Sequence, residues 1–229
     1  MTWPHVAWTA WLVELVFPDR CAGCGRPGNV VCAACRAALR PLRPPRCGLC
    51  GAPTAWAVTR CRECSGRRLS FAAARAAVAY APPVPALVRG WKERGLRRIG
   101  ALAVELVADL VERPAADVIT YIPPDPVRQL QRSGHPAPSL ARALARTWEL
   151  EPVGLLRRSG PSIRQTGRGR AERLRGARGA FVALARVEGR VVLVDDVYTT
   201  GATADAAAAA LRKAGAASVQ VISFARTVR

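Results

Sequence analysis

Lysine is almost missing from this chain: Lys92 and Lys213 are the two in 229 residues. Acids are scarce as well, 16 against 35 basic residues, so the formal charge is +19 and arginine carries nearly all of it. A genome rich in G and C explains arginine in place of lysine, but not the shortage of acids. That shortage points to polyanion partners: nucleic acid, nucleotides or phosphorylated sugars. No block of like charge stands out as a solvated tail. No apolar run reaches membrane-spanning length; the longest candidate, residues 6–17, is short and broken by Glu14. It has no basic residue ahead of it and no small-residue cleavage site after it, so it does not read as a signal peptide. Trp8, Trp11, Leu12 and Leu15 recur at helical spacing, which predicts an amphipathic helix over residues 1–18. A cytoplasmic protein with no membrane span is the expectation. What the chain does have is apolar residues, 50% of the total, enough for a sizeable core.

Cysteine is missing from most of the chain and concentrated in one stretch. All eight lie between positions 21 and 64, as four Cys-x-x-Cys pairs: Cys21/Cys24, Cys32/Cys35, Cys47/Cys50 and Cys61/Cys64. Each such turn aims two thiolates at one point, and two turns complete a tetrahedral zinc site. A disulfide framework would suit a secreted chain, and a redox motif needs no fourfold repetition. Eight ligands imply two structural Zn2+ ions, with no coordination position left open for chemistry. Pairing in chain order closes the shorter loops; a crossed pairing also satisfies the spacing. Residues 19–68 are therefore expected to form a metal-stabilised module, with arginine-rich flanks suited to a nucleic-acid backbone.

From residue 69 onward the composition turns rich in alanine and valine. Strands are expected at 71–80, 117–122, 191–195 and 218–224, and helices at 86–94, 99–112, 139–148 and 203–214. Strands alternating with helices predict an α/β domain over 69–229, a parallel sheet with flanking helices, preceded by the Cys-rich module.

The most informative run is Val191-Val-Leu-Val-Asp-Asp-Val-Tyr-Thr-Thr-Gly-Ala-Thr203. A buried strand delivers Asp195 and Asp196 near the carboxyl edge of the sheet, where open parallel sheets bind ligands. Thr199, Thr200, Gly201, Ala202 and Thr203 then form a turn of small and hydroxyl residues leading into a helix. N–H groups at a helix start favour an anion. Carboxylates beside an anion cradle suit a sugar phosphate, whose hydroxyls the acids accept. The turn is not a Walker loop, because it lacks the Gly-Lys-Thr/Ser ending.

This run resembles the phosphoribosyl pyrophosphate signature of type I phosphoribosyltransferases. With the Cys-rich module ahead of it, the chain resembles the ComF family of competence-associated proteins nearly end to end. The likeness takes in Phe17-Pro18, the four cysteine pairs, Tyr80 ahead of the Lys92 helix, and Ile122-Pro123-x-x-Pro126 leading to Arg128 and Arg132. It continues through Gln165, Glu172-Arg173 and Gly179-Ala180-Phe181. The chain departs from the family pattern at 132–136 and at Gly176.

The resemblance implies a type I phosphoribosyltransferase-like fold, with Asp195 and Asp196 as catalytic acids and 199–203 as the phosphoribosyl-binding turn. It implies a pyrophosphate loop drawn from Arg128, Arg132 and Gly134. Residues 157–178 would form a basic flap, with Arg164, Arg168, Arg170 and Arg173 reaching the ligand. Mg2+ would accompany phosphoribosyl pyrophosphate. The implied role is a phosphoribosyltransferase-like protein linked to DNA uptake. Its alternative is a non-catalytic protein of the competence machinery that binds single-stranded DNA or a nucleotide, with competence proteins as partners.

Overall fold

A computed structural model of the chain describes residues 19–126, 133–159 and 179–228. The amphipathic helix expected over 1–18 lies outside the described residues. Elements are numbered in chain order among the described ones.

Within the Cys-rich stretch one short helix, α1 (Ala33–Ala37), forms. The N–H of Cys35 in α1 donates to Sγ of Cys32, its N-cap, at 3.4 Å. After it come β1 (Ala73–Ala79), α2 (Val84–Arg94), α3 (Arg97–Leu110), β2 (Val118–Tyr121) and α4 (Pro136–Trp148). Three short strands follow: β3 (Glu151–Pro152), β4 (Leu156–Arg158) and β5 (Phe181–Ala183). The chain then runs through β6 (Arg190–Tyr198), α5 (Ala202–Lys213) and β7 (Ser218–Arg226).

The main sheet has the order β1-β7-β6-β2-β3, and every neighbouring pair is parallel. The expected parallel sheet with flanking helices is present, with the Cys-rich module ahead of it. Both faces of β6 are buried, as its continuous apolar run requires. Val192 and Val194 pack with Leu87, Ile99 and Leu144 of α2, α3 and α4. Val191 and Leu193 pack with Ala204, Ala208 and Leu211 of α5. Alternate residues of one strand thus feed two cores.

Four features differ from the sequence reading. β6 continues past Asp195 to Tyr198, so the two acids lie inside the strand rather than at its end. β3 was not expected; it has two residues, and Pro152 sits at the sheet edge where its missing N–H costs nothing. β4 and β5 form an antiparallel pair of their own. Arg157 and Arg158, counted in the expected flap, belong to β4, and residues 160–178 of that stretch lie outside the described residues. Arg158 is held there by its Nε donating to Pro123 O at 3.2 Å and by stacking over the Phe181 ring.

The Cys-rich module lies along the open edge of the sheet. Leu42 N donates to Ala77 O at 2.8 Å, Ala79 N to Arg40 O at 2.9 Å, and Ala74 N to Leu49 O at 2.7 Å. An uncovered edge strand is a template for aggregation, and these bonds occupy that of β1. Among the described residues no helix is long and apolar enough to cross a membrane.

Candidate functional site

The structure gathers the cysteines in chain order. Cys21, Cys24, Cys32 and Cys35 converge at one point, Cys47, Cys50, Cys61 and Cys64 at another, with the ligand atoms of each set within 4.8 Å of one another. Sulfur separations are 3.6 Å for Cys24–Cys32, 3.6 Å for Cys47–Cys64, 3.5 Å for Cys50–Cys61 and 3.8 Å for Cys61–Cys64. A Zn–S bond of about 2.3 Å in a tetrahedron needs sulfurs about 3.8 Å apart. Both sets fit zinc, and with four sulfurs each they are closed, structural sites. Burial raises the Cys21 and Cys47 thiols, but backbone N–H donors outweigh it and bring each down to about 6. One ready thiolate per site favours metal capture near neutral pH.

The second candidate centre lies where β6 meets α5. Gly201 caps α5 with φ of 74°, in the left-handed region. A Cβ there would also fall 2.3 Å from Tyr198 Oη, so both backbone and space call for glycine. The first N–H groups of α5 have no intrahelical partner, and such a helix start favours an anion. Thr199 and Thr203 are exposed beside it. Thr200 is buried instead, and its Oγ1 accepts from Ala202 N at 3.4 Å, so this hydroxyl shapes the turn from inside.

The two acids are not equivalent. Asp195 accepts the Asp196 N–H on Oδ1 at 2.8 Å. Burial, and then the neighbouring Asp196 charge, push the Asp195 carboxyl up to about 8, against the opposing pull of Lys92. Asp196 faces α2, where its carboxylate forms an ion pair with the Lys92 ammonium. The resemblance singles out the Lys92 helix, and the structure brings the lysine itself to Asp196.

Of the expected pyrophosphate loop, Arg128 and Arg132 lie outside the described residues, as do the flap arginines Arg164, Arg168, Arg170 and Arg173. Gly134 is described. Its N–H donates to Lys92 O at 3.2 Å, and a Cβ on it would sit 2.0 Å from Trp91 O. Residue 134 is thereby held close against the end of α2, on the carbonyl of the lysine that meets Asp196.

Two further residues at the site carried no motif. Arg226, at the end of β7, is 1% exposed and stacks over the Tyr198 ring at 5.2 Å. Arg67, just after the last cysteine, donates through Nη1 to Thr200 O at 3.0 Å. In the sequence each is one arginine among many.

Comparison with known proteins agrees with this layout. Residues 12–65 match the double zinc ribbon domain family. The chain is 30% identical over 141 residues to competence protein F of Haemophilus influenzae, a match covering 59% of this chain and 62% of that protein. Two solved structures are similar to part of the chain. One is the glutamine phosphoribosylpyrophosphate amidotransferase of B. subtilis complexed with ADP and GMP, 28% identical, covering 54% of this chain and 25% of that one, TM-score 0.38. The other is an allosteric regulatory enzyme of purine biosynthesis, 29% identical, covering 54% of this chain and 24% of that one, TM-score 0.36. The chain thus spans about a quarter of the length of either enzyme. Together, the double zinc ribbon and the kinship with competence protein F bear out the resemblance to the ComF family.

Proposed function

We propose that the chain is a phosphoribosyltransferase-like protein that binds phosphoribosyl pyrophosphate, or a related ribose phosphate, between Asp195 and Thr203. The observation that carries this reading is the juxtaposition at the sheet edge. Two carboxylates on β6 stand next to a glycine-capped helix start. The 5-phosphate would sit on the 199–203 turn, accepting from the first N–H groups of α5 and the hydroxyls of Thr199 and Thr203. The ribose hydroxyls would meet the acids. Asp195, held near 8, keeps its proton at neutral pH and can donate to a hydroxyl oxygen as well as accept. Asp196 and Lys92 would present an ion pair to the other side of the sugar. Mg2+ bound with the ligand supplies charge neutralisation at the pyrophosphate. The basic residues of the pyrophosphate loop and flap would take the remaining leaving-group charge.

The name of the Haemophilus relative carries the proposed link to competence. A thermal-shift comparison of phosphoribosyl pyrophosphate, ribose 5-phosphate and pyrophosphate tests the site. The reading expects stabilisation by the two ribose phosphates, lost in the double variant Asp195→Asn/Asp196→Asn. Pyrophosphate release then reports whether binding leads to transfer.

A second reading, single-stranded DNA binding, has its own observation. Trp56, between the cysteine pairs of the second ribbon, is 72% exposed, with Arg60 and Arg62 close in sequence. An exposed ring beside cations is a base-stacking platform. Oligonucleotide affinity that falls with salt and in Trp56→Ala, but not with the Asp pair, would support it.

A further inference from the structure

The second ribbon touches the ligand turn by two routes. The first runs through the chain that leaves Cys64. Arg67 Nη1 donates to Thr200 O at 3.0 Å, and Ser70 N donates to Asp205 Oδ1 at 2.7 Å in the first turn of α5. The second runs through Arg226. Its Nη1 donates to the carbonyl of Cys50, a zinc ligand, and its Nη2 pairs with Glu63 Oε2 at 3.3 Å, between Cys61 and Cys64. Its guanidinium covers the Tyr198 ring, whose hydroxyl abuts Gly201. Thr227 N, next to Arg226, donates to Tyr198 O at 2.9 Å.

The contact at Thr200 has a direct consequence for anion binding. A trans peptide is planar, with its C=O and N–H pointing in opposite directions. Holding the Thr200 carbonyl toward Arg67 turns the Gly201 N–H away from the ribbon, to the side where a phosphate would lie. The path of residues 64–70 and the direction of the Cys50 carbonyl are in turn fixed when four thiolates converge on one metal. The first ribbon makes different contacts. Arg36 pairs with Glu105 and Asp19 with Arg98, both on α3, and a Cβ on Gly23 would meet Pro83 at the start of α2.

We infer that metal at the second four-cysteine site sets the geometry of the 199–203 turn, with Arg67 and Arg226 as positioning residues. Zinc at that site and ligand in the turn then favour each other, while zinc at the first site is not coupled to the turn. The ligand half of this coupling rests on the ribose-phosphate reading; the ordering of the turn does not.

Amide hydrogen exchange on the full chain tests it. Cys61→Ser removes the second metal and Cys24→Ser the first, each checked by zinc content. Coupling energies of this kind correspond to about tenfold, so exchange across 199–205 should rise about tenfold in Cys61→Ser and stay within about twofold in Cys24→Ser. Arg67→Met should keep both zinc ions yet raise exchange at the same amides. In the double variant the combined rise should fall short of the product of the two single rises, because Arg67→Met removes one of the two routes that Cys61→Ser disturbs. Equal effects from the two cysteine variants, no change in Cys61→Ser, or independent effects in the double variant would overturn the inference. Should Cys61→Ser fail to fold, zinc extraction by a chelator serves instead. Phosphoribosyl pyrophosphate should slow release of one zinc in the wild type and slow it less in Arg67→Met; equal slowing in both would count against the coupling. A wild type that binds no phosphoribosyl pyrophosphate would sink the functional reading, while the exchange comparison would still decide this one.

Discussion

The two zinc ribbons have the same ligands and opposite surroundings. The first meets the helical layer through exposed ion pairs, with Arg98 and Asp19 67% and 49% exposed, and through Val30 and Leu39, which are buried in the core shared with α2, α3 and α4. The second meets the ligand turn through an arginine that is 1% exposed. Water screens the first ribbon's ion pairs, which contribute little, so its hold on the domain rests on the apolar packing. The buried contact has no such screening, and breaking it strands polar groups. One metal-binding motif, used twice, therefore serves as an attachment in one place and as part of the site's framework in the other.

The largest expected effect is on the second ribbon itself. Cys64 is fully buried, and Cys64→Ser should cost one zinc by metal analysis and produce the greatest fall in thermal midpoint. Cys24, on the exposed side of the first ribbon, should lose its zinc with a smaller fall when changed to serine. Equal falls would erase the contrast.

Next comes Arg226→Met, which strips the Cys50 carbonyl and Glu63 of a buried partner. Removing one member of a buried ion pair costs about 3–5 kcal/mol, readable by denaturant unfolding. Arg98→Ala breaks an exposed pair and should cost about 0–1 kcal/mol by the same measurement.

Gly201→Ala falls between these. It forces a Cβ at positive φ toward Tyr198, so a loss of about 1–3 kcal/mol is expected, along with weakened ligand binding.

The pH dependence of Asp195 gives a finer test. Its folded carboxyl is raised to about 8 from an ordinary 3.8, so the folded state holds a proton that the unfolded chain releases. The stability tied to that proton is complete below about pH 4 and is lost as pH rises toward 8. Asp195→Asn cannot charge. Its stability advantage over wild type should therefore grow from pH 5 to pH 8 and level off above. A gap that stays constant would mean Asp195 is not held protonated.

The main sheet, its helices and the zinc ligands were legible because each has a local signature. Strands such as Val191–Val194 are continuous apolar runs, and cysteine turns repeat at fixed spacing. Loop closure favours pairing in chain order over a crossed pairing that the spacing also satisfies, and the structure has the chain order. The far end of β6 was harder to read, because two acids interrupt its apolar pattern before Val197 and Tyr198 resume it. β3 and β4 are too short for any period to show. Asp195, Asp196 and Gly201 could be placed from their strand-and-turn context. Arg67 and Arg226 could not, because their roles arise from contacts across 133 and 176 residues. Lys92 stands on a helix that the resemblance marks, but its pairing with Asp196 joins helix and strand and was not legible. Among so many arginines, sequence offers no signal for the buried one.

The account stands on the ribose-phosphate site, and calorimetric titration tests it most directly. Phosphoribosyl pyrophosphate with Mg2+ should bind the full chain carrying two zinc ions at one saturable site, and the heat should vanish in Asp195→Asn/Asp196→Asn with its zinc retained. A zinc-loaded wild type that gives no binding heat at any temperature tried, or a double variant that binds as tightly as wild type, would contradict it.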